Sequence, residues 1–183
     1  MDYHQSEKIN GIEVINLNLH EDKRGYLFES YKKIDLLKNV NFCQDNIVKS
    51  KYSCLRGLHY QTEPLAQSKL ITVIKGEIQD VALDIRKSSK TFGKYFSIIL
   101  SDNNQRQLFI PKGFAHGFLT LSEYSIVHYK VDNFYSIDHQ SSIAFNDENI
   151  GINWRIREDE IFTSKKDSNS PKFLDVKYFN GIL

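Results

Sequence analysis

Apolar residues along this chain fall in short runs separated by polar turns. Residues 70–74 and 78–85 flank Lys75-Gly76-Glu77, which reads as two strands of a hairpin around a glycine-containing turn. In the second run Val81, Leu83 and Ile85 alternate with Ala82, Asp84 and Arg86, the period of a half-buried strand. A further run, 95–100, stops at the polar turn Ser101-Asp102-Asn103-Asn104, and runs at 107–111, 118–121 and 125–131 follow. Turn signals recur about every ten residues, as in a β-sandwich or barrel. Helical signals are few: Ile34, Leu36 and Leu37 predict a two-turn helix over 32–39. The segment after Trp154 is charged and irregular, and the polar stretch 164–171 reads as a surface loop unless it is ordered over something. No repeat and no linker rich in Pro, Gly and Ser interrupts the chain. The expectation is one all-β antiparallel domain over residues 1–183, closed or double-sheeted.

Composition narrows the function classes. The 183 residues are 40% hydrophobic and 26% charged, enough apolar material for a substantial core. Lys and Arg number 24 against 23 Asp and Glu, and this balance argues against a general nucleic-acid or membrane-surface binder while allowing a local basic pocket. No apolar stretch approaches the ~18 residues of a membrane span. Residues 1–10 are polar, so a cytoplasmic protein without a secretory signal is expected. Cys43 and Cys54 lack a metal or redox spacing and read as two reduced, semi-buried thiols. Walker, G-x-G-x-x-G and G-x-S-x-G motifs are absent, so Rossmann or P-loop nucleotide chemistry has no support.

Four clusters carry candidate chemistry. Arg56-Gly57-Leu58-His59-Tyr60-Gln61 sets a cation, an imidazole and an amide around a glycine. Strand alternation would put Arg56, Leu58 and Tyr60 on one face and Gly57, His59 and Gln61 on the other. His59 is then a hydrogen-bonded core histidine or, facing a barrel interior, a proton-transfer group. Pro111-Lys112-Gly113-Phe114-Ala115-His116 predicts a tight turn that aims His116 at the next strand's face. Its P-x-G-x-x-H spacing resembles the second cupin motif, whose His often binds metal. The first motif's H-x-H and Glu have no counterpart here, so a protein-bound metal is not expected. Tyr129 is a core tyrosine or a general acid. Lys69, on the same expected face as Gln67, is an edge lysine or an oxyanion stabiliser.

The order of motifs is more specific than any one of them. It runs Asp22-Lys23-Arg24-Gly25 with Glu29, Gln44-Asp45-Asn46, Arg56 to Gln61, Gln67-Ser68-Lys69-Leu70, Asp80 to Arg86, Thr91-Phe92-Gly93-Lys94, Ile110 to Phe118, Tyr129-Lys130, and Asn146-Asp147 with Gly151-Ile152-Asn153-Trp154. From about residue 12 to 171 this closely resembles the dTDP-4-dehydrorhamnose 3,5-epimerase family.

The resemblance implies a cupin-type jelly roll, a homodimer, no metal or cofactor, and a dTDP-linked 4-keto-6-deoxy sugar as substrate. The implied reaction inverts C3 and C5 through an enolate on the C4 oxygen. His59 would be the base, with Asp167 as its partner carboxylate, Lys69 the enolate stabiliser and Tyr129 the acid. Arg56 and His116 would line the pocket. Arg24, Glu29, Gln44, Asp45 and Asn46 match substrate-binding positions, the first two reaching across the dimer. Phe134 and Lys166 match nucleotide contacts, Phe134 or Tyr135 would stack on the base, and the segment from about 155 to 183 would pack over the barrel. The chain departs from the family pattern at Phe134, where the family has Tyr, at Gln140, where an acidic residue is common, and at Ile137 and Arg155, which replace prolines. The alternatives are a single-centre epimerase on a related nucleotide sugar, a metal-dependent cupin enzyme, and a non-catalytic nucleotide-sugar binding module.

Overall fold

The computed structural model describes residues 2–5, 9 and 11–181; part of the polar opening (1, 6–8 and 10) and the last two residues of the C-terminal segment lie outside them. The described strands are β1 (Asp2–Gln5), β2 (Glu13–Asn16), β3 (Leu19–Asp22), β4 (Gly25–Phe28), β5 (Gln44–Lys51), β6 (Leu55–Gln61), β7 (Lys69–Lys75), β8 (Glu77–Asp84), β9 (Tyr95–Ser101), β10 (Arg106–Ile110), β11 (Phe114–Thr120), β12 (Tyr124–Val131) and β13 (Gln140–Ser142). A single helical turn, α1, spans Lys165–Ser168. A six-stranded sheet, β1-β2-β10-β7-β12-β5, faces a five-stranded one, β13-β6-β11-β8-β9, and β3 with β4 makes a separate ribbon. Their pairings are antiparallel, giving the expected all-β jelly-roll sandwich.

Inward-facing residues of both sheets form the main core, with Ile71, Val73 and Val127 from one side meeting Ile78, Ala82, Phe114 and Phe118 from the other. The strands around Lys75-Gly76-Glu77 form as expected, but they do not make a hairpin: β7 and β8 belong to different sheets. Gly76 turns the chain from one sheet to the other at φ +84°, where a Cβ would lie 2.2 Å from the Tyr124 carbonyl oxygen. Nor is β8 half-buried. Its outward residues Val81 and Leu83, with Ile85 just beyond, lie under Phe173 and Phe179 of the C-terminal segment. That cover is anchored by the Asp147 carboxylate, which accepts from the Phe173 amide at 2.6 Å, and by the Phe179 amide donating to the Ile85 carbonyl.

The predicted helix at 32–39 is only a 3-10 turn at Asp35–Leu37, because its apolar residues cap a small outer cluster of Ile15, Leu70 and Phe109. Cys54 is buried and Cys43 exposed, and both are free thiols. Among the described residues no helix is long and apolar enough to cross a membrane.

Candidate active site

Between the two sheets lies a partly open cavity of about 160 Å³ lined by Val48, Arg56, His59, Lys69, His116, Phe118 and Tyr129. Arg56, His59, His116 and Phe118 come from the five-stranded sheet, while Val48, Lys69 and Tyr129 come from the six-stranded one. The two walls therefore present different chemistry to whatever lies between them.

Simple alternation would set Arg56 and His59 on opposite faces of β6. A bulge defeats it. His59 pairs with His116 and Arg56 with Phe118, so Gly57 and Leu58 together oppose Gly117. Leu58 drops into the outer core while Arg56 and His59 both line the cavity. The bulge depends on glycine: Gly57 sits at φ +129°, and a Cβ there would be 2.5 Å from the Gly117 Cα.

His59 Nε2 lies 2.6 Å from Asp167 Oδ1. Asp167 is 4% exposed, held in α1, whose N-cap Ser164 hydroxyl accepts from its amide. The polar stretch 164–171 is thus ordered over the site. Burial works against the Asp167 charge, but the His59 hydrogen bond and the Gly57 amide hold its carboxyl below the usual range. An ionised carboxylate only accepts, so Nε2 carries the proton and Nδ1 keeps the free lone pair of a base.

Lys69 is 8% exposed and donates to the His59 carbonyl oxygen at 3.2 Å. Burial lowers its pKa to about 8, with the Asp80 charge opposing the fall. Burial also lifts the Tyr129 phenol above its ordinary value, which keeps it a proton donor. His116 sits in β11, two residues beyond the strand's start rather than on the turn itself. Both Asp80 oxygens lie 3.0 Å from its Nε2. Among the described residues no group of three His, Cys, Asp or Glu side chains could hold a metal ion.

The other expected contacts divide. Gln44 and Asn46 share the inward face of β5 with Val48 and bond each other at 2.9 Å. Asp45 faces the other way and pairs with Lys130 at 2.7 Å, because strand alternation places it on the outer surface. Tyr135 borders the hollow beside Lys69 and donates to Gln140 at 2.6 Å; Lys166 donates to the same Gln140 oxygen at 2.7 Å. Phe134 is 66% exposed. Arg24 and Glu29 do not line the cavity: Arg24 pairs with Asp22 at the β3–β4 turn, and Glu29 with Lys32. Sequence reasoning missed Asp80, Val48, Phe118 and the bridging role of Gln140. Asp80 was detectable as a carboxylate inside an apolar strand, where burial demands a partner.

Comparison with known proteins places this geometry. The sequence profile described as dTDP-4-dehydrorhamnose 3,5-epimerase matches residues 6–175. The dTDP-4-dehydrorhamnose 3,5-epimerase of Shigella flexneri is 48% identical over 162 residues, covering 86% of this chain and 88% of that one. The crystal structure of dTDP-6-deoxy-D-glucose-3,5-epimerase from Legionella pneumophila, in complex with dTDP-4-keto-L-rhamnose, superposes with a TM-score of 0.94 at 35% identity, covering 100% of this chain and 99% of that one. The Elizabethkingia anophelis enzyme superposes with a TM-score of 0.91 at 41% identity, over 97% of this chain and 99% of that one. With its jelly-roll frame and its His59–Asp167 pair inside that frame, the chain belongs to the dTDP-4-dehydrorhamnose 3,5-epimerase family.

Proposed function

We propose that the chain is a cytoplasmic, homodimeric isomerase that inverts C3 and C5 of dTDP-4-dehydro-6-deoxy-D-glucose, giving dTDP-4-dehydro-L-rhamnose for dTDP-L-rhamnose biosynthesis. One observation carries this reading: the histidine–carboxylate pair and the protonated tyrosine stand on opposing sheets around one cavity that holds a buried lysine.

The C4 ketone acidifies the hydrogens on C3 and C5. His59 Nδ1 removes one, and the electron pair moves to the C4 oxygen as an enolate. The buried Lys69 ammonium stabilises that charge. Tyr129, from the other wall, returns a proton to the opposite face of the ring, and the centre is inverted. The imidazolium then gives its proton to solvent and the phenolate regains one from solvent, so the same groups serve the second centre. Asp167 fixes the tautomer of the base and stabilises the imidazolium formed in the step. Arg56 and His116 line the sugar site, and Gln44, Asn46, Phe134, Tyr135 and Lys166 extend it toward the nucleotide. Arg24 and Glu29, turned away from their own cavity, serve the site of a second subunit.

The test is turnover of dTDP-4-keto-6-deoxyglucose followed by NMR for wild type, His59→Ala and Tyr129→Phe. Loss of inversion in both variants, with circular dichroism unchanged, is expected; full activity in both would refute the assignment. Light scattering that gives a monomer at working concentration would refute the shared site.

A further inference from the structure

Two buried carboxylates stand behind histidines that line this cavity, and only one touches the base. Asp167 is committed to His59 at 2.6 Å. The other, Asp80, is 0% exposed on β8 and faces His116 with both oxygens at 3.0 Å. Lys69 enters the same space from the opposite sheet, and its hydrogen bond to the His59 carbonyl oxygen reaches a neutral group.

A buried ammonium needs a compensating negative charge. Among the described residues the titratable groups around Lys69 are Arg56, His59 and Tyr60 from β6, Asp80 from β8, His116 from β11, Tyr129 from β12 and Tyr135 just beyond it, with Asp167 of α1 behind His59. Arg56 is cationic, and Tyr129 is neutral until strongly alkaline pH. His59 screens the charge of Asp167. Asp80 is the remaining anion, and its partner His116 is a neutral imidazole wherever burial keeps it unprotonated.

We infer that Asp80 is a positioning residue of the reaction: its carboxylate, set behind His116, holds Lys69 in the ammonium form that stabilises the enolate. This rests on the enolate-stabilising role given to Lys69 above. It accounts for a fully buried carboxylate paired with a cavity-lining histidine, in a site whose base already has another partner. Burial alone lowers both Lys69 and His116, and in both the Asp80 charge opposes the fall.

The experiment compares wild type and Asp80→Asn in two ways. One is the pH profile of kcat from pH 6 to 10. The other is an NMR titration of Lys69 in protein labelled with 13Cε-lysine, the signal being assigned by its loss in Lys69→Arg. In Asp80→Asn both the Lys69 titration and the alkaline limb of kcat should fall together by about one pH unit. At pH 8 the ammonium fraction would then drop from about a half to about a tenth, a loss of about fivefold beyond any pH-independent effect. In a Lys69→Arg background, Asp80→Asn should leave the alkaline limb where it was. His116→Gln keeps the carboxylate and a donor to it, so Lys69 should titrate as in wild type; this arm stands even where Asp80→Asn does not fold. A Lys69 titration unmoved in folded Asp80→Asn, or lowered as much in His116→Gln, would overturn the inference. A wild type that does not turn over the 4-keto sugar would sink the functional reading instead, and the NMR titration would still report on Asp80.

Discussion

Replacing Lys69 with methionine separates what this residue contributes to chemistry from what it costs the fold. The side chain is almost fully buried, and its pKa falls from 10.5 to about 8. A group whose folded pKa lies below its unfolded one binds fewer protons in the native state, so wild-type stability rises with pH between the two values. At about 1.36 kcal/mol per pH unit, the gap from 10.5 to about 8 amounts to about 3 kcal/mol of folding free energy withheld at pH 7. Methionine has similar reach and no charge, so the variant escapes that cost. Its stability relative to wild type should be greatest near pH 7 and should shrink by about 2 kcal/mol by pH 9.5. Terms that do not depend on pH, such as the lost hydrogen bond to the His59 carbonyl, shift the whole difference without changing its slope. Urea unfolding at pH 7, 8, 9 and 9.5, with protein concentration fixed, measures the trend directly. A stability difference that stays flat across that range would refute the buried-ammonium reasoning. Turnover by the variant should be lost at every pH, since methionine cannot stabilise an enolate.

Two further variants probe the frame around the base. Asp167→Asn should lower kcat by roughly 10²-fold or more with little change in KM, measured by NMR turnover, because the amide no longer fixes the His59 tautomer. Since the Asp167 carboxyl titrates below 3.8, its contribution to stability is present above that value and is lost as pH falls through the lower folded one. Asp167→Asn should therefore show a shallower acid loss of stability than wild type in unfolding curves from pH 5 to 2.5. Gly57→Ala should destabilise the fold by about 3 kcal/mol or more in thermal or urea melts, because its Cβ meets the Gly117 backbone at 2.5 Å and its φ is +129°.

Much of the strand pattern was legible because strand periodicity is local: β9, β10 and β12 fall within a residue of the apolar runs. Sheet membership was not. Residues 70–85 carry the local pattern of a hairpin, and only contacts distant in sequence send β7 and β8 into different sheets. The exposure of β8 was misjudged for a related reason: its cover arrives from Phe173 and Phe179, about ninety residues later in the chain. The 3-10 turn at Asp35–Leu37 likewise yields to tertiary packing, which sets helix length more strongly than propensity does. At the site, the family resemblance brought His59, Lys69, Tyr129 and Asp167 into view. Simple alternation along β6 set Arg56 apart from His59 while the resemblance put both at the pocket; the Gly57-Leu58 bulge lets them share the cavity, since a bulge reverses the alternation on which the first reading depends. The Asp167 contact spans 108 positions, and nothing in the composition of a polar loop marks it. Asp45 lies outside this cavity for the simpler reason that neighbouring strand residues face opposite ways, so Gln44, Asp45 and Asn46 cannot all point into it.

The central claim is that protons leave and return at two carbons flanking one ketone. Incubating the protein with dTDP-4-keto-6-deoxyglucose in D2O and weighing the recovered sugar by mass spectrometry tests it most directly. The arrangement of His59, Lys69 and Tyr129 predicts uptake of two deuterons, at C3 and C5. Uptake of a single deuteron would restrict the chemistry to one centre, and folded protein that leaves the sugar without deuterium would contradict the account.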